Sequence, residues 1–105
     1  MSAELTIRER SAFERLMAIA QRDTGQSARV ANFLLAWWNA AECGGFDLTD
    51  AWSLDDDILT DVKITFALAT RLSTYPDTLG YAKEFARIIE QWRPDVKQGR
   101  PAEAS

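Results

Sequence analysis

The sequence predicts an all-α chain, a compact four-helix bundle or an orthogonal helical array with a short extra turn after the second helix. Three observations carry this. Apolar residues recur at three-and-four spacing wherever the chain has a period. Helix breakers fall between those stretches: Gly25, Gly44-Gly45, Pro76 and Pro94. The few β-branched residues also sit at helical spacing, so no strand is expected.

The first helix is predicted to start near Thr6. Thr6 and Glu9 fit a capping box, in which a hydroxyl and a carboxylate each satisfy a backbone N–H that the helix leaves free. Phe13, Leu16, Met17 and Ala20 form its core stripe, and Gly25 is the expected stop. Arg8, Arg15 and Arg22 alternate with Glu9 and Glu14 on the solvated side.

The second helix, from about Ser27, is the most apolar stretch. Val30, Phe33, Leu34, Trp37 and Ala41 make one row, and Ala31, Leu35 and Trp38 a second beside it. A stripe that wide suits a helix packed on two sides, by the same chain or by a second copy. Ala36 and Ala40 are small enough for another backbone to approach. Gly44 and Gly45 close the helix, since a glycine adopts the left-handed conformation without a Cβ clash. Trp37, Trp38 and Phe46 read either as a binding groove or as core, where most tryptophans lie. Phe46, Leu48 and Trp52 are expected to fold back onto the core, with Asp47 capping the turn.

Ser53 is the predicted cap of the third helix, with Asp55, Asp56 and Asp57 in its first turn, where the helix dipole favours negative charge. Its core face is Ile58, Val62, Thr65, Phe66 and Ala69, flanked by Leu59 and Leu72. It must stop before Pro76, which disfavours a helical residue ahead of it. Asp77 is the expected cap of the fourth helix, whose stripe is Ala82, Phe85, Ile89 and Trp92, with Tyr81 and Ile88 beside it. The expected domain is therefore 1–93, with 94–105 a flexible polar tail.

At 105 residues the chain makes one domain. The sequence contains no histidine, which removes imidazole bases and the commonest zinc ligand. With one cysteine, no intramolecular disulfide forms. Glycine-rich phosphate loops of either familiar spacing are lacking. These absences predict no enzyme, no catalytic residue, no cofactor and no metal. The net charge of −4 counts against direct nucleic-acid binding, which needs a basic face. No run reaches the roughly 18 apolar residues of a membrane span. The lone thiol and the polar N-terminus predict a cytoplasmic protein. Cys43, at a helix C-terminus where the dipole disfavours a thiolate, reads as a small buried apolar residue rather than a nucleophile.

Between Arg29 and Lys63 there is no basic residue, yet the window holds Glu42, Asp47, Asp50, Asp55, Asp56, Asp57 and Asp61. Neither Asp47 nor Asp55 opens the register of an EF-hand loop, although a divalent ion bridging Asp47 and Asp50 stays open. The aspartates can instead be capping and first-turn residues with no further role. They can also form an acidic face that attracts a basic partner. On that reading Asp47, Asp50, Asp55, Asp56, Asp57 and Asp61 are the partner-binding residues, with Trp37, Trp38 and Trp52 as aromatic contacts.

The stretches ANFLLAWWNAAECGGFDLTDAW and YPDTLGYAKEFARIIEQWRP resemble a family of short bacterial proteins of unknown function. The likeness runs from Phe13 to Pro94, with WWNA-x-x-CGGFDL as its core. The resemblance implies a proteobacterial, cytoplasmic accessory protein of plasmids, prophages or other mobile elements, and it brings no catalytic residues. The combined expectation is a non-enzymatic helical protein–protein interaction module that self-associates, as a homodimer. The alternative is an acidic inhibitor or decoy for the basic site of a nucleic-acid-handling host protein, such as a defence system.

Overall fold

The computed structural model describes residues 4–96. It contains four α-helices: α1 (Ile7–Ala20), α2 (Gly25–Cys43), α3 (Asp56–Leu72) and α4 (Ala82–Trp92). Two 3-10 turns, Leu48–Ser53 and Pro76–Leu79, join α2 to α3 and α3 to α4. The fold is all-α. Helix α1 packs extensively against both α2 and α3, while α2 and α3 meet only lightly. Helix α4 closes the core against α1 and α2.

The capping box of α1 forms as its spacing requires. The Thr6 hydroxyl accepts from Glu9 N–H at 3.1 Å, and Glu9 accepts from Thr6 N–H at 2.9 Å. That backbone bond, with Arg71 at 2.6 Å, holds the Glu9 carboxyl below its usual value. The helix stops at Ala20 rather than Gly25. Gly25 is instead the first residue of α2, whose cap is Thr24, bonded to the N–H of buried Ser27.

Most of both apolar rows of α2 is covered inside the chain. Val30, Phe33 and Leu34 are buried, and so are Ala31, Leu35 and Trp38. The row ends earlier than its spacing predicts, because Asn39 leaves the helical conformation (φ −167°, ψ 82°). The Asn39 amide oxygen then accepts from Glu42 N–H at 3.3 Å, recapping a last turn that carries Ala41 into solvent. Gly44 closes that turn at φ 92°, a value its missing side chain permits.

Phe13 is the hub of the core and is fully buried. Its ring centroid lies 5.4 Å from Trp37, 5.0 Å from Tyr81 and 6.2 Å from Phe85, joining α1, α2 and α4. The end of α4 serves the carbonyls that helix ends leave free. Trp92 Nε1 donates to Ala20 O at 2.7 Å, Gln91 to Arg22 O at 2.7 Å, and Arg93 Nε to Cys43 O at 3.0 Å. Burial raises the Cys43 thiol pKa.

Helix α3 departs most from its predicted face. Its buried residues are Asp61, Val62, Thr65 and Leu68, while Phe66 is 60% exposed. The stripe turns because Arg15 of α1 grips Asp61 with two bonds of 2.8 Å, which offsets the cost of burying a carboxylate. The Thr65 hydroxyl is buried with no hydrogen-bond partner among the described residues.

Two caps also move. Asp55, not Ser53, precedes α3, and Ser53 ends the first 3-10 turn. Asp77 lies in the second 3-10 turn, and Tyr81 stands at the start of α4, whose Ala82 is exposed. Phe46 does fold back, edge-on to Phe33 at 5.4 Å. Leu48 and Trp52 do not: they are 78% and 83% exposed. Of the predicted tail, Val96 still packs on the core, and 97–105 lie outside the described residues.

Candidate interaction surface

Each carboxylate of the acidic stretch has a distinct setting. Asp47 accepts from Thr49 N–H at 2.9 Å and from the Thr49 hydroxyl at 2.8 Å, and these bonds hold it below the usual carboxylate range. Asp55 pairs twice with Gln26 of α2: its N–H donates to Gln26 Oε1 at 2.7 Å, and Gln26 Nε2 donates to its carboxylate at 3.1 Å. Asp56 and Asp57 are exposed on the first turn of α3, and Asp50 is half-buried. Asp61 leaves the predicted acidic face, because it is buried and spent on Arg15. Among the described residues no three Cys, Asp or Glu side chains converge to hold a metal ion.

The tryptophans divide in the same way. Trp38 is 1% exposed and is core, which removes it as a surface contact in this state. Trp37 is half-buried, tilted at 45° against Phe13, and its Nε1 donates to Thr74 O at 2.9 Å. Trp52 projects from the Leu48–Ser53 turn.

Because α2 and α3 touch so lightly, an open groove of about 330 Å³ runs between them. Phe33, Ala36 and Trp37 line it from α2, and Phe66, Ala69 and Thr70 from α3. It continues past Trp37 and Ala69 to Ser73, Thr74 and Tyr75. No lining residue is charged. The bond from Trp37 to Thr74 fixes the indole against the loop after α3, so the wall is set before anything docks. Small Ala36, flagged by the sequence, is part of it. Phe66 was assigned inward by sequence. Its exposure follows from the rotation of α3 about the Asp61–Arg15 pair, which periodicity within α3 does not encode.

A second, polar cleft lies between α1 and α4, lined by Glu14, Gln21, Tyr81, Glu84 and Arg87 with Met17 and Ala18. Its central groups already satisfy one another. Arg10 donates to the Tyr81 hydroxyl at 2.5 Å, and that hydroxyl donates to Glu14 at 2.7 Å. Burial, then the bond to Glu14, raises the Tyr81 pKa. The arrangement ties α1 to the start of α4.

The chain matches a family of unknown function (DUF7673) over residues 10–93, which is most of its length. It belongs to that family. No curated protein and no solved structure matches it. The DUF7673 span takes in the whole groove, the Leu48–Ser53 turn, and the residues from Arg10 to Arg93 that hold the helices together. Among the described residues of this DUF7673 chain, no helix is long and apolar enough to cross a membrane.

Proposed function

We propose that this DUF7673 protein is a non-enzymatic helical interaction module that self-associates through the groove between α2 and α3. One observation carries the reading: Phe66 stands exposed at the rim of an apolar, uncharged groove whose walls are already fixed. Covering an apolar side chain of that size contributes about 1.5–3 kcal/mol. A second copy offers a matching surface, with Phe66 of each seated against Ala36 and Ala69 of the other. Such a twofold arrangement counts every contact twice and closes at a homodimer. The chain itself covers most of the wide stripe of α2, leaving Trp37 and the edge of Phe33 on the groove wall. The exposed anchor, Phe66, lies on α3.

The sequence resemblance supports an accessory role for a mobile element, and the single thiol supports a cytoplasmic setting. The polar cleft at Tyr81 supports a structural role over catalysis, since its hydroxyl and Glu14 are committed to each other. Sedimentation velocity over a rising concentration series tests the proposal. The expected result is a mass that climbs towards the dimer. A strict monomer at high micromolar concentration contradicts it.

A second reading keeps Asp47, Asp50, Asp55, Asp56 and Asp57 as an acidic face for the basic site of a nucleic-acid-handling host protein. It is favoured by their joint placement around an exposed turn, now without Asp61.

A further inference from the structure

Three of the four tryptophans have duties in the fold. Trp37 and Trp92 donate their ring N–H groups to backbone carbonyls, and Trp38 is sealed in the core. The Trp52 side chain makes no hydrogen bond, ring contact or cation–π contact among the described residues, and it is 83% exposed. Its turn is nevertheless held firmly at both ends. Before it, Phe46 is packed on Phe33, and Asp47 caps Thr49 while its carbonyl accepts from Asp50 N–H at 2.9 Å. After it, Leu54 is buried, its N–H donates to Ala51 O at 3.2 Å, and the Gln26–Asp55 pair ties the exit to α2. A large indole is thus displayed on a fixed support. Docking there must order the indole but not the turn that carries it, which lowers the cost of binding.

We infer that this turn is a docking surface for an arginine-bearing segment of another protein. The occupant follows from charge complementarity. The exposed indole and Leu48 are flanked by Asp47, Asp50, Asp55, Asp56 and Asp57, and no basic residue lies between Arg29 and Lys63. A guanidinium combines the two chemistries the surface offers. Its plane stacks on an indole face, and its edge presents paired N–H donors to a carboxylate. An ammonium forms only point contacts and is more strongly hydrated. Bases of single-stranded nucleic acid also stack on aromatic rings, but here the phosphates meet like charge. The inference rests on the acidic-face reading and is independent of the groove between α2 and α3.

The experiment titrates the full chain by calorimetry, at low and physiological salt. The probes are a short peptide of alternating arginine and glycine, its lysine counterpart, and a single-stranded oligonucleotide. The Trp52 indole N–H signal, assigned by its loss in Trp52→Phe, is followed by NMR. The expected result is tighter binding of the arginine peptide than of the lysine peptide, with a shift of the Trp52 signal. Trp52→Ala should weaken the arginine peptide about two- to fivefold, the range for an exposed cation–π contact. Changing Asp55, Asp56 and Asp57 to Asn should weaken both peptides and flatten the salt dependence.

Unchanged arginine-peptide affinity in Trp52→Ala, with a loss in the Asn variant, overturns the inference and leaves the acidic face standing. No change in either variant overturns both. A stationary Trp52 signal in the unaltered chain, or preferred binding of the oligonucleotide, also overturns it. Trp52 is 83% exposed, so its removal should leave the helical circular dichroism spectrum unchanged.

Discussion

Replacing Phe13 with alanine is expected to remove about 3–5 kcal/mol of stability, the range for deleting a buried aromatic ring. Phe13 has no exposed surface and contacts three aromatic rings, from α2, α4 and the residue that leads into α4. The void would therefore open where those elements meet and not at an edge that can collapse. A domain of this size has a total stability of about 5–15 kcal/mol, so the variant should be close to unfolding at physiological temperature. Urea denaturation followed by tryptophan fluorescence measures this. The midpoint should fall steeply with little change in slope. A loss below about 1 kcal/mol, the size of an ordinary surface-to-intermediate change, would show that Phe13 is not the hub.

Phe66→Asp is expected to do the reverse, abolishing association while sparing the fold. Phe66 is mostly exposed within the monomer, so its replacement should change monomer stability by no more than about 0.5 kcal/mol. At the centre of an interface, loss of an aromatic anchor costs about 2 kcal/mol or more, equivalent to roughly thirtyfold in affinity. In a twofold dimer the loss occurs twice, and each new carboxylate would be desolvated without a partner. Sedimentation should find only monomer at concentrations where the parent chain dimerises, with thermal melting unchanged. Retained dimerisation by Phe66→Asp would move the interface elsewhere.

The local parts of this fold are written in the sequence. Thr6 and Glu9 lie three residues apart, so their mutual capping requires no knowledge of the rest of the chain. The two rows of α2 and the glycine that ends it are equally local. What the sequence conceals depends on distant partners. The inward turn of Asp61 needs Arg15, forty-six positions away, and without that pair an aspartate reads as outside. The same rotation exchanges Leu68 for Phe66 at the core, so an inward residue on paper becomes the rim of a groove. The kink at Asn39 follows from a side chain that recaps its own helix, a choice asparagine permits but does not force.

The candidate surfaces divide in the same manner. The exposed Asp47, Asp55, Asp56 and Asp57 were readable, because residues at helix starts stay wet. The groove was not, since it exists only where α2 and α3 separate around α1. The expected fold-back of Trp52 fails for a general reason: a tryptophan is usually core, and composition does not mark the exception. Its exposure becomes evident only when both ends of its turn are anchored by other residues.

The tryptophans also supply the most direct probe of the self-association. Trp37 lies on the wall of the groove and donates its indole N–H there to Thr74, whereas Trp38 is core and Trp52 stands on the separate acidic turn. Nitrogen–proton correlation spectra recorded through a dilution series should show the Trp37 indole signal moving with concentration while those of Trp38 and Trp52 stay fixed. A Trp37 signal that holds its position across the whole series would contradict association through this groove.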